Sequence, residues 1–279
     1  MTILHRAFLF KVRFTTRFLL TLCVAALVVS TSAPVAAEPS DKPFEPVVGQ
    51  PGRDVVWVPT PEVLVEKMLD VARVTPRDFV MDLGSGDGRN IIAAARRGAR
   101  ALGVEYNPDM VDLSKRAAEK AGVADKAQFV QGDMYVADIS RATVLALFLL
   151  PENMNKLVDK FLALKPGSRI VANQFAVTGW TPDETGRADG DCGSWCTWLL
   201  YIVPAPVAGR WQFQDGELQL EQQFQAFNGT YTVNGASTLV TDGRLRGDEI
   251  SFTAGGRQYR GKVSAGAMTG ADWNAKRVQ

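Results

Sequence analysis

The chain has 279 residues, of which 46% are hydrophobic and 22% are charged, and its formal net charge is +1. This is the composition of a globular protein, and it excludes the collagen-like, disordered and small disulfide-scaffold classes. A net charge so close to zero also excludes a chain built mainly to hold nucleic acid or an anionic membrane by charge.

The N-terminal segment has the pattern of a secretory signal. Residues 1–17 carry basic residues and no acid, and a 12-residue apolar run, Phe18–Val29, follows them. A membrane-spanning helix needs about 20 apolar residues, so this run is short for one. Small residues then lead to Ala37, as at a cleavage site. We therefore predict a signal peptide over 1–37 and export to the periplasm, with an uncleaved inner-membrane anchor as the alternative.

Cleavage at this site would change the chemistry available to the mature chain. It would remove the only histidine, His5, which excludes histidine-based catalysis and histidine-ligated zinc. Cys192 and Cys196 would remain, and in an exported protein this spacing suggests a local disulfide. A redox pair is the alternative, although the spacing is one residue longer than in thioredoxin-type motifs. Two isolated thiols cannot form a zinc site, so we predict no bound metal.

Residues 38–57 are rich in proline and charge, and they predict an exposed linker. Beyond the linker, apolar runs alternate with amphipathic stretches, beginning with Thr60 as a predicted N-cap and Pro61 as the first residue of a helix. This alternation predicts a parallel, doubly wound sheet over residues 58–204. The predicted elements are a strand at 79–83, a helix at 89–97, a strand at 101–105, a helix at 108–121, strands at 127–131 and 142–150, a helix at 151–164, and strands at 168–175 and 195–203.

The pattern changes after residue 204, where helical periodicity gives way to two-residue alternation. Closely spaced turn pairs with this alternation predict antiparallel hairpins, and residues 205–279 suffice for a small barrel or sandwich. The fold class is thus α/β, a doubly wound Rossmann-like sheet with a small C-terminal antiparallel β domain. The turn pairs are 215–216, 228–229, 234–235, 242–243 and 255–256. Four aromatic residues are expected in the core rather than in a ligand cage: Trp195, Trp198, Tyr201 and Trp211.

The first predicted strand runs into a glycine-rich loop, Asp82-Leu-Gly84-Ser-Gly86-Asp-Gly88. Glycine allows a sharp turn and a close approach to a ligand, and the helix that follows presents free N–H groups. Such a loop alone is a weak signal. Glu105 closes the second strand, where a carboxylate can accept both ribose hydroxyls, and Asp133 follows the third, where it can accept from the adenine amine. Each acid alone could cap a loop, end a strand or form a turn, but three at successive strand ends favour a bound nucleoside.

The details of the loop restrict the type of nucleoside. A dinucleotide fingerprint needs a third glycine where Arg89 stands, and the Gly-Lys-Ser/Thr of a P-loop is absent. Asp82 stands two residues before the first glycine, and a carboxylate there suits a cationic amino group better than a pyrophosphate. S-adenosylmethionine carries such an amino group and has no phosphate.

Residues 58 to about 180 resemble a class I S-adenosylmethionine-dependent methyltransferase. The segment 82–88 matches the first motif of that family, Glu105 its ribose-binding acid and Asp133 its adenine-side acid. Four segments are similar to a small group of lysine methyltransferases that modify the ADP/ATP carrier and the ATP synthase c-ring: Val58-Pro-Thr-Pro61, Glu105-Tyr-Asn-Pro108, Phe148-Leu-Leu-Pro151 and Val177-Thr-Gly-Trp180. The resemblance implies S-adenosylmethionine as the cofactor, contacted at Asp82, Gly84, Ser85, Gly86, Asp87, Gly88, Glu105, Asp133 and Met134. It also implies a substrate mouth at Thr60, Pro61, Leu150 and Pro151.

The resemblance further implies methyl transfer to a lysine amine of a protein partner. The alternatives are a small-molecule or lipid methyltransferase and a non-catalytic exported module that binds a ligand or protein. Without histidine, a carboxylate, Tyr135 or water must accept the proton, and the sequence names no catalytic residue. Leu149-Leu-Pro-Glu152 stands where DNA and RNA amino-methyltransferases carry Asp/Asn-Pro-Pro-Tyr/Phe, so we expect no nucleic-acid substrate. Membrane contact is expected only through an uncleaved signal, and the oligomeric state stays open.

Overall fold

Residues 44–278 are described by a computed structural model of the chain. The predicted signal peptide over 1–37 lies outside the described residues, as does the first part of the predicted linker. Within residues 44–278, no helix is long and apolar enough to cross a membrane.

The first domain is built on a seven-stranded sheet with helices packed on both faces. Its strands are β1 (Phe79–Leu83), β2 (Arg100–Glu105), β3 (Ala127–Gln131), β4 (Val144–Leu147), β5 (Arg169–Asn173), β6 (Glu184–Arg187) and β7 (Thr197–Ile202). Its helices are α1 (Glu62–Val71), α2 (Arg89–Arg96), α3 (Pro108–Lys120), α4 (Pro151–Lys156) and α5 (Val158–Leu162).

The strand order is β3-β2-β1-β4-β5-β7-β6, which confirms the doubly wound α/β class. Parallel ladders join the first five of these strands, while β7 runs antiparallel to both of its neighbours. From β1 the chain adds β2 and β3 on one side of the sheet and then crosses over to add β4 on the other side of β1, so the strand order reverses between β1 and β4. In open sheets of this kind, ligands bind beyond the carboxyl ends of the strands at that point.

Local boundaries correct two sequence predictions. Helix α1 begins at Glu62 rather than at Pro61, because Pro61 has an extended ψ of 137° and its carbonyl accepts the first helical hydrogen bonds. Pro61 is therefore the N-cap, the position predicted for Thr60. The predicted strand 142–150 is also too long, since the ladder to β5 ends at Leu147 and the chain turns to begin α4. Strand β6 has no counterpart among the predicted elements.

The C-terminal domain is a closed antiparallel barrel of eight strands, in the order β10-β11-β12-β13-β14-β15-β8-β9. Closure leaves no unpaired strand edge, so the predicted hairpins form a barrel rather than a sandwich. The predicted boundary at 204 and 205 falls between β7 and β8 and stays a prediction. The strands are β8 (Gly209–Phe213), β9 (Gly216–Gln223), β10 (Ala226–Val233), β11 (Ala236–Arg246), β12 (Glu249–Ala254), β13 (Arg257–Ser264), β14 (Ala267–Gly270) and β15 (Asn274–Arg277).

Two of the predicted turn pairs are wrong. The pairs 228–229 and 242–243 lie inside β10 and β11, where the ladder between those strands shifts register. Gly229 and Gly243 each bring the backbone so close to a neighbouring carbonyl that a Cβ atom would collide with it. These glycines therefore form part of β-bulges. Bulges bend the strands and so produce the curvature that a closed barrel needs.

The barrel packs against the sheet domain through a few specific contacts. Trp180 stacks on Phe224 with ring centroids 5.1 Å apart, and the guanidinium of Arg244 in the barrel lies 3.7 Å from the buried carboxylate of Asp183. Arg246 of the barrel pairs with Glu184 of β6. Three aromatic residues are buried, as predicted, at Trp198, Tyr201 and Trp211, whereas Trp195 is partly exposed.

Candidate cofactor-binding site

A cleft opens beyond the carboxyl ends of β1, β2, β3 and β4. It encloses about 760 Å³ of atom-free space, with the open solvent at its mouth included. The lining residues are Gln50, Pro51, Gly52, Arg53, Asp54, Val55, Val56, Trp57, Val58, Gly84, Val104, Glu105, Tyr106, Asn107, Met110, Gly132, Asp133, Met134, Phe148 and Leu149.

The glycine loop enters this cleft in a conformation that other residues rarely adopt. Gly84, Gly86 and Gly88 all have φ values between 55° and 81°, in the left-handed region. Gly88 is the N-cap of α2, and a Cβ atom there would lie 2.6 Å from the ring of Phe129. The loop is thus shaped by backbone freedom and close packing, as expected of a ligand-binding turn between strand and helix.

Glu105 holds the loop from the end of β2. Its Oε2 accepts a hydrogen bond from the Gly86 N–H at 2.9 Å, and its Oε1 accepts one from the Asn107 N–H at 3.0 Å. A carboxylate has about four acceptor positions, so both oxygens can still accept from the hydroxyls of a ribose. Glu105 lines the cleft, as the sequence predicts.

Asp133 lines the same cleft from the loop after β3. Its Oδ1 accepts from the Tyr135 N–H at 2.8 Å, and its Oδ2 accepts from Arg53 Nη1 at 2.7 Å. The Arg53 guanidinium also lies over the ring of Tyr106, 4.5 Å from its centroid. The charge of Asp133 is the main cause that raises the pKa of Arg53. Met134 is nearly buried beside Asp133 and completes this wall.

Asp82 lies beneath the loop and does not line the cleft. Its side chain is 3% exposed, its Oδ2 accepts from Asn90 Nδ2 at 2.9 Å, and its Oδ1 has no partner within the described part of the chain. Burial raises the pKa of Asp82 well above its ordinary value, and the charges of Glu105 and Asp87 raise it further, against the Asn90 hydrogen bond. An unpaired buried carboxylate oxygen is costly, and an ammonium group would satisfy it.

The remaining loop residues shape the site from outside the cleft. Ser85 is buried, and its hydroxyl has no partner among residues 44–278. Asp87 pairs with Arg89, whose Nη1 donates to the Thr60 carbonyl at 2.7 Å and so fastens α1 to the loop. The residues predicted to form a substrate mouth do not line this cleft; Thr60 is buried and Leu150 is 42% exposed. Their role, with that of Pro61 and Pro151, stays a prediction.

The segment over residues 49–58, which we call the N-terminal strap, closes one side of the cleft. Backbone hydrogen bonds join Gly49 to Trp57 at 2.8 Å and Trp57 to Gln50 at 2.9 Å, and so fold the strap on itself. A Cβ atom on Gly86 would lie 2.7 Å from the Trp57 indole nitrogen, so this ring packs directly on the glycine loop. The sequence predicts most of this segment as linker, and the one signal it offers for a role in the site is a tryptophan within a proline-rich stretch.

Two predictions concern side chains away from the cleft. Cys192 and Cys196 form the predicted disulfide, with their Cα atoms 5.2 Å apart. Among the residues that the structure describes, no group of three or more histidine, cysteine or acidic side chains is arranged to hold a metal ion.

Comparisons with known proteins agree with this geometry. A family model described as the ANTKMT methyltransferase domain matches residues 82–184. A protein-lysine N-methyltransferase of Saccharolobus islandicus (strain REY15A) is 42% identical over 154 residues, which cover 53% of this chain and 94% of that protein. The lysine N-methyltransferase of Mus musculus that is named for the ATP synthase c-subunit is 37% identical over 130 residues. That match covers 46% of this chain and 52% of the mouse protein, so the chain spans about half the length of this relative.

A solved structure shares both sequence and fold. It is described as an RNA methyltransferase from Salinibacter ruber in complex with S-adenosyl-L-homocysteine. It is 43% identical, covers 54% of this chain and 96% of its own, and superposes with a TM-score of 0.50.

The sheet order, the glycine loop and the acids at successive strand ends define an S-adenosylmethionine-dependent methyltransferase, and S-adenosylmethionine is its cofactor. Within that class, the chain belongs to the ANTKMT methyltransferase family. The family model ends at residue 184, so the barrel lies outside it.

The residues of the site fit this cofactor. Glu105 and Asp133 offer acceptors for a ribose and an adenine amine along one cleft. Asp82 lies beneath the glycine loop and outside the cleft wall, and its unpaired Oδ1 is an acceptor for an ammonium group. When bound, S-adenosylmethionine supplies a methyl group on a positively charged sulfur that is also the leaving group. The protein therefore has to position the acceptor and exclude water.

Proposed function

We propose that this chain transfers methyl groups to a lysine amine of a protein. The observation that carries this proposal is the match to the Saccharolobus protein-lysine N-methyltransferase, because it extends over 94% of that protein at 42% identity. The matches to lysine methyltransferases named for the ATP synthase c-subunit point to the same acceptor. The relative described as an RNA methyltransferase makes RNA the acceptor that a test must exclude.

A lysine amine has to lose its proton before it can accept a methyl group. Its reference pKa is about 10.4, and removal from water favours the neutral form. Of the acceptors that the sequence left open, Tyr135 is the least suited. Burial raises the pKa of Tyr135, and this outweighs the opposite effect of the hydrogen bond that its hydroxyl accepts from Asn153 Nδ2 at 2.9 Å. We therefore favour desolvation of the amine, with water or a carboxylate receiving the proton.

Transfer of label decides the acceptor class. The full chain is incubated with S-adenosylmethionine carrying a heavy methyl group and with extracts of envelope and cytosol. The E105Q variant, which is expected to bind the cofactor more weakly, serves as the control for label that depends on this site. We expect label in protein, located on lysine by mass spectrometry, and unchanged after ribonuclease treatment. Label found only in RNA or only in small molecules would overturn the proposal.

We also propose that the enzyme works outside the cytosol. The basic start, the short apolar run and the small residues before Glu38 support this, and a disulfide between Cys192 and Cys196 is compatible with an oxidising compartment. Because S-adenosylmethionine is made in the cytosol, this setting requires a supply of imported cofactor. Fractionation with mapping of the mature N-terminus tests it: a mature chain beginning at Glu38 in the periplasm supports export, and a cytosolic chain beginning at Met1 overturns it.

A further inference from the structure

Three aromatic side chains meet at the rim of the sheet beside the cofactor cleft. Phe148 follows β4, Phe175 follows β5 and Trp195 precedes β7. Their ring centroids are 5.3 Å (Phe148–Trp195), 6.0 Å (Phe175–Trp195) and 6.2 Å (Phe148–Phe175) apart. All three are partly exposed, and Phe148 also lines the cofactor cleft. We call this set the aromatic wall.

The backbone that presents Phe175 is strained. Gln174 has a φ of 65°, and the Phe175 N–H donates to the Asn173 carbonyl two residues back at 2.7 Å. This is a tight turn in the left-handed region, which a glutamine adopts only at an energetic cost. Strain of this kind concentrates at functional sites, and here it directs Phe175 into the wall.

A buried polar group lies at the base of the same turn. Asn173 is fully buried, and neither its amide oxygen nor its amide nitrogen has a partner in the part of the chain that the structure describes. Asn173 pairs in register with Trp198, and it follows Ala172, which pairs with Leu147 just before Phe148. An unsatisfied amide beside an aromatic rim is suited to a ligand with an N–H group.

Trp195 is held in the wall by the disulfide. Cys192 and Cys196 bracket it in a five-residue loop, and its own N–H donates to the Cys192 carbonyl at 2.9 Å. The exit of this loop is joined to the strained turn, because the Gln174 N–H donates to the Thr197 carbonyl at 2.9 Å. The disulfide loop and the strained turn therefore fix the rings of Trp195 and Phe175 relative to one another.

We propose that the aromatic wall binds the acceptor lysine side chain, and that the disulfide positions Trp195 for this purpose; the inference rests on the proposed lysine specificity. Aromatic faces cover the apolar stem of a lysine and remove its amine from water. They also attract ammonium groups, most of all methylated ones, which are less strongly hydrated. An amine that already carries methyl groups is therefore still bound by the aromatic wall.

Variants of the wall test this in the enzyme reaction. W195A and the C192S/C196S pair are compared with L239A, which removes an exposed apolar side chain on the barrel. We expect the KM for the acceptor protein to rise roughly 5- to 30-fold in W195A, as for loss of a desolvated cation–aromatic contact. The fraction of trimethylated product should fall, while the affinity for S-adenosylmethionine and the melting temperature stay within error of wild type. W195F keeps an aromatic ring, so its acceptor KM and its fraction of trimethylated product should be close to those of wild type. The C192S/C196S pair should give values between those of W195A and wild type.

A binding measurement separates this inference from the lysine proposal. The protein saturated with S-adenosylhomocysteine is titrated with Nα-acetyl-Nε-trimethyl-lysine amide and with its neutral carbon isostere, and saturation-transfer NMR detects weak binding. If wild type binds the cationic probe more tightly than the neutral one and W195A does not, the result supports cation binding by the aromatic wall, even if no lysine is methylated. Equal binding of both probes by wild type would overturn the role of the aromatic wall and leave the lysine proposal standing. The same conclusion would follow if wild type methylates lysine and W195A shows an unchanged acceptor KM and product distribution.

Discussion

Arg53 Nη1 lies 2.7 Å from Asp133 Oδ2, and this contact joins the N-terminal strap to the acid that follows β3. The same guanidinium covers the ring of Tyr106, which lines the cleft next to Glu105. Arg53 therefore already contacts two groups expected to bind adenine. These are the Asp133 carboxylate, which is expected to accept from the adenine amine, and the ring of Tyr106 beside it. Adenine has to share or displace these contacts when the cofactor binds.

The first prediction concerns this competition. Arg53→Ala should bind S-adenosylmethionine several-fold more tightly than wild type, because the adenine no longer competes with a guanidinium for Asp133 and Tyr106. Isothermal titration of the full chain measures the dissociation constant. Arg141→Ala is a matched control, since Arg141 lies over the ring of Phe79 at 4.9 Å, away from the cleft. Weaker binding in Arg53→Ala would show instead that the guanidinium contacts the bound cofactor.

A second prediction tests the double role of Glu105, which accepts from two backbone N–H groups and lines the cleft. Glu105→Gln keeps the shape but places an amide donor against one of those N–H groups. We expect the affinity for S-adenosylmethionine to fall roughly ten- to a hundredfold, because a hydrogen bond to a charged group contributes about 1.5–3 kcal/mol. Glu119→Gln, on the exposed face of α3, is the control. Equal affinities in the two variants would exclude Glu105 from the site.

The sheet domain could be predicted because its signals are local. Asn107 caps α3 with its side chain, Pro108 follows at the first helical position, and both are read directly from the sequence. Glu105 and Asp133 could be placed for the same reason, since a parallel sheet brings the carboxyl ends of its strands to one rim. Asp82 is expected from the sequence to contact the cofactor directly, but neighbouring residues bury it beneath the glycine loop and it does not line the cleft.

What the sequence could not supply depends on contacts between distant segments. Arg53 and Asp133 are 80 residues apart, and nothing in the proline-rich stretch around Arg53 indicates that it folds over the cleft. Trp195 belongs to a loop that only the tertiary fold places against Phe148. Gly229 occupies a bulge because its neighbours in the barrel approach it, while its pairing with asparagine is typical of a turn.

A third prediction uses two glycines that share a backbone conformation. Gly86 has a φ of 55° and Gly122 a φ of 70°, so alanine at either position should cost about 1–2 kcal/mol of folding stability. A Cβ atom at Gly122 meets nothing within 4 Å, whereas at Gly86 it meets the Trp57 ring at 2.7 Å. We expect Gly86→Ala to weaken cofactor binding at least tenfold and Gly122→Ala to leave it unchanged. Equal cofactor affinity in the two variants would show that the Trp57 packing is irrelevant to binding.

The last prediction follows from the raised pKa of Asp82. A carboxyl with a higher pKa in the folded than in the unfolded chain binds more protons when folded, so its contribution to stability is greatest at low pH. That contribution is lost as the pH rises from the unfolded value, about 3.9, through the folded pKa. Asp82→Asn removes this titration. The lowered pKa of Asp78 and the raised pKa of Asp183 are common to both proteins, so their effects cancel in the difference.

Without cofactor, the melting temperature of Asp82→Asn should therefore exceed that of wild type by an amount that grows between about pH 4 and about pH 7. With saturating S-adenosylmethionine the order should reverse near neutral pH, because wild type gains an ion pair between Asp82 and the ammonium of the cofactor that the variant lacks. Asp112→Asn, at an exposed position on α3, should follow wild type in both series. A constant difference across the pH range would mean that Asp82 titrates alike in the folded and unfolded chain, and an unchanged order with cofactor would remove Asp82 from the binding site.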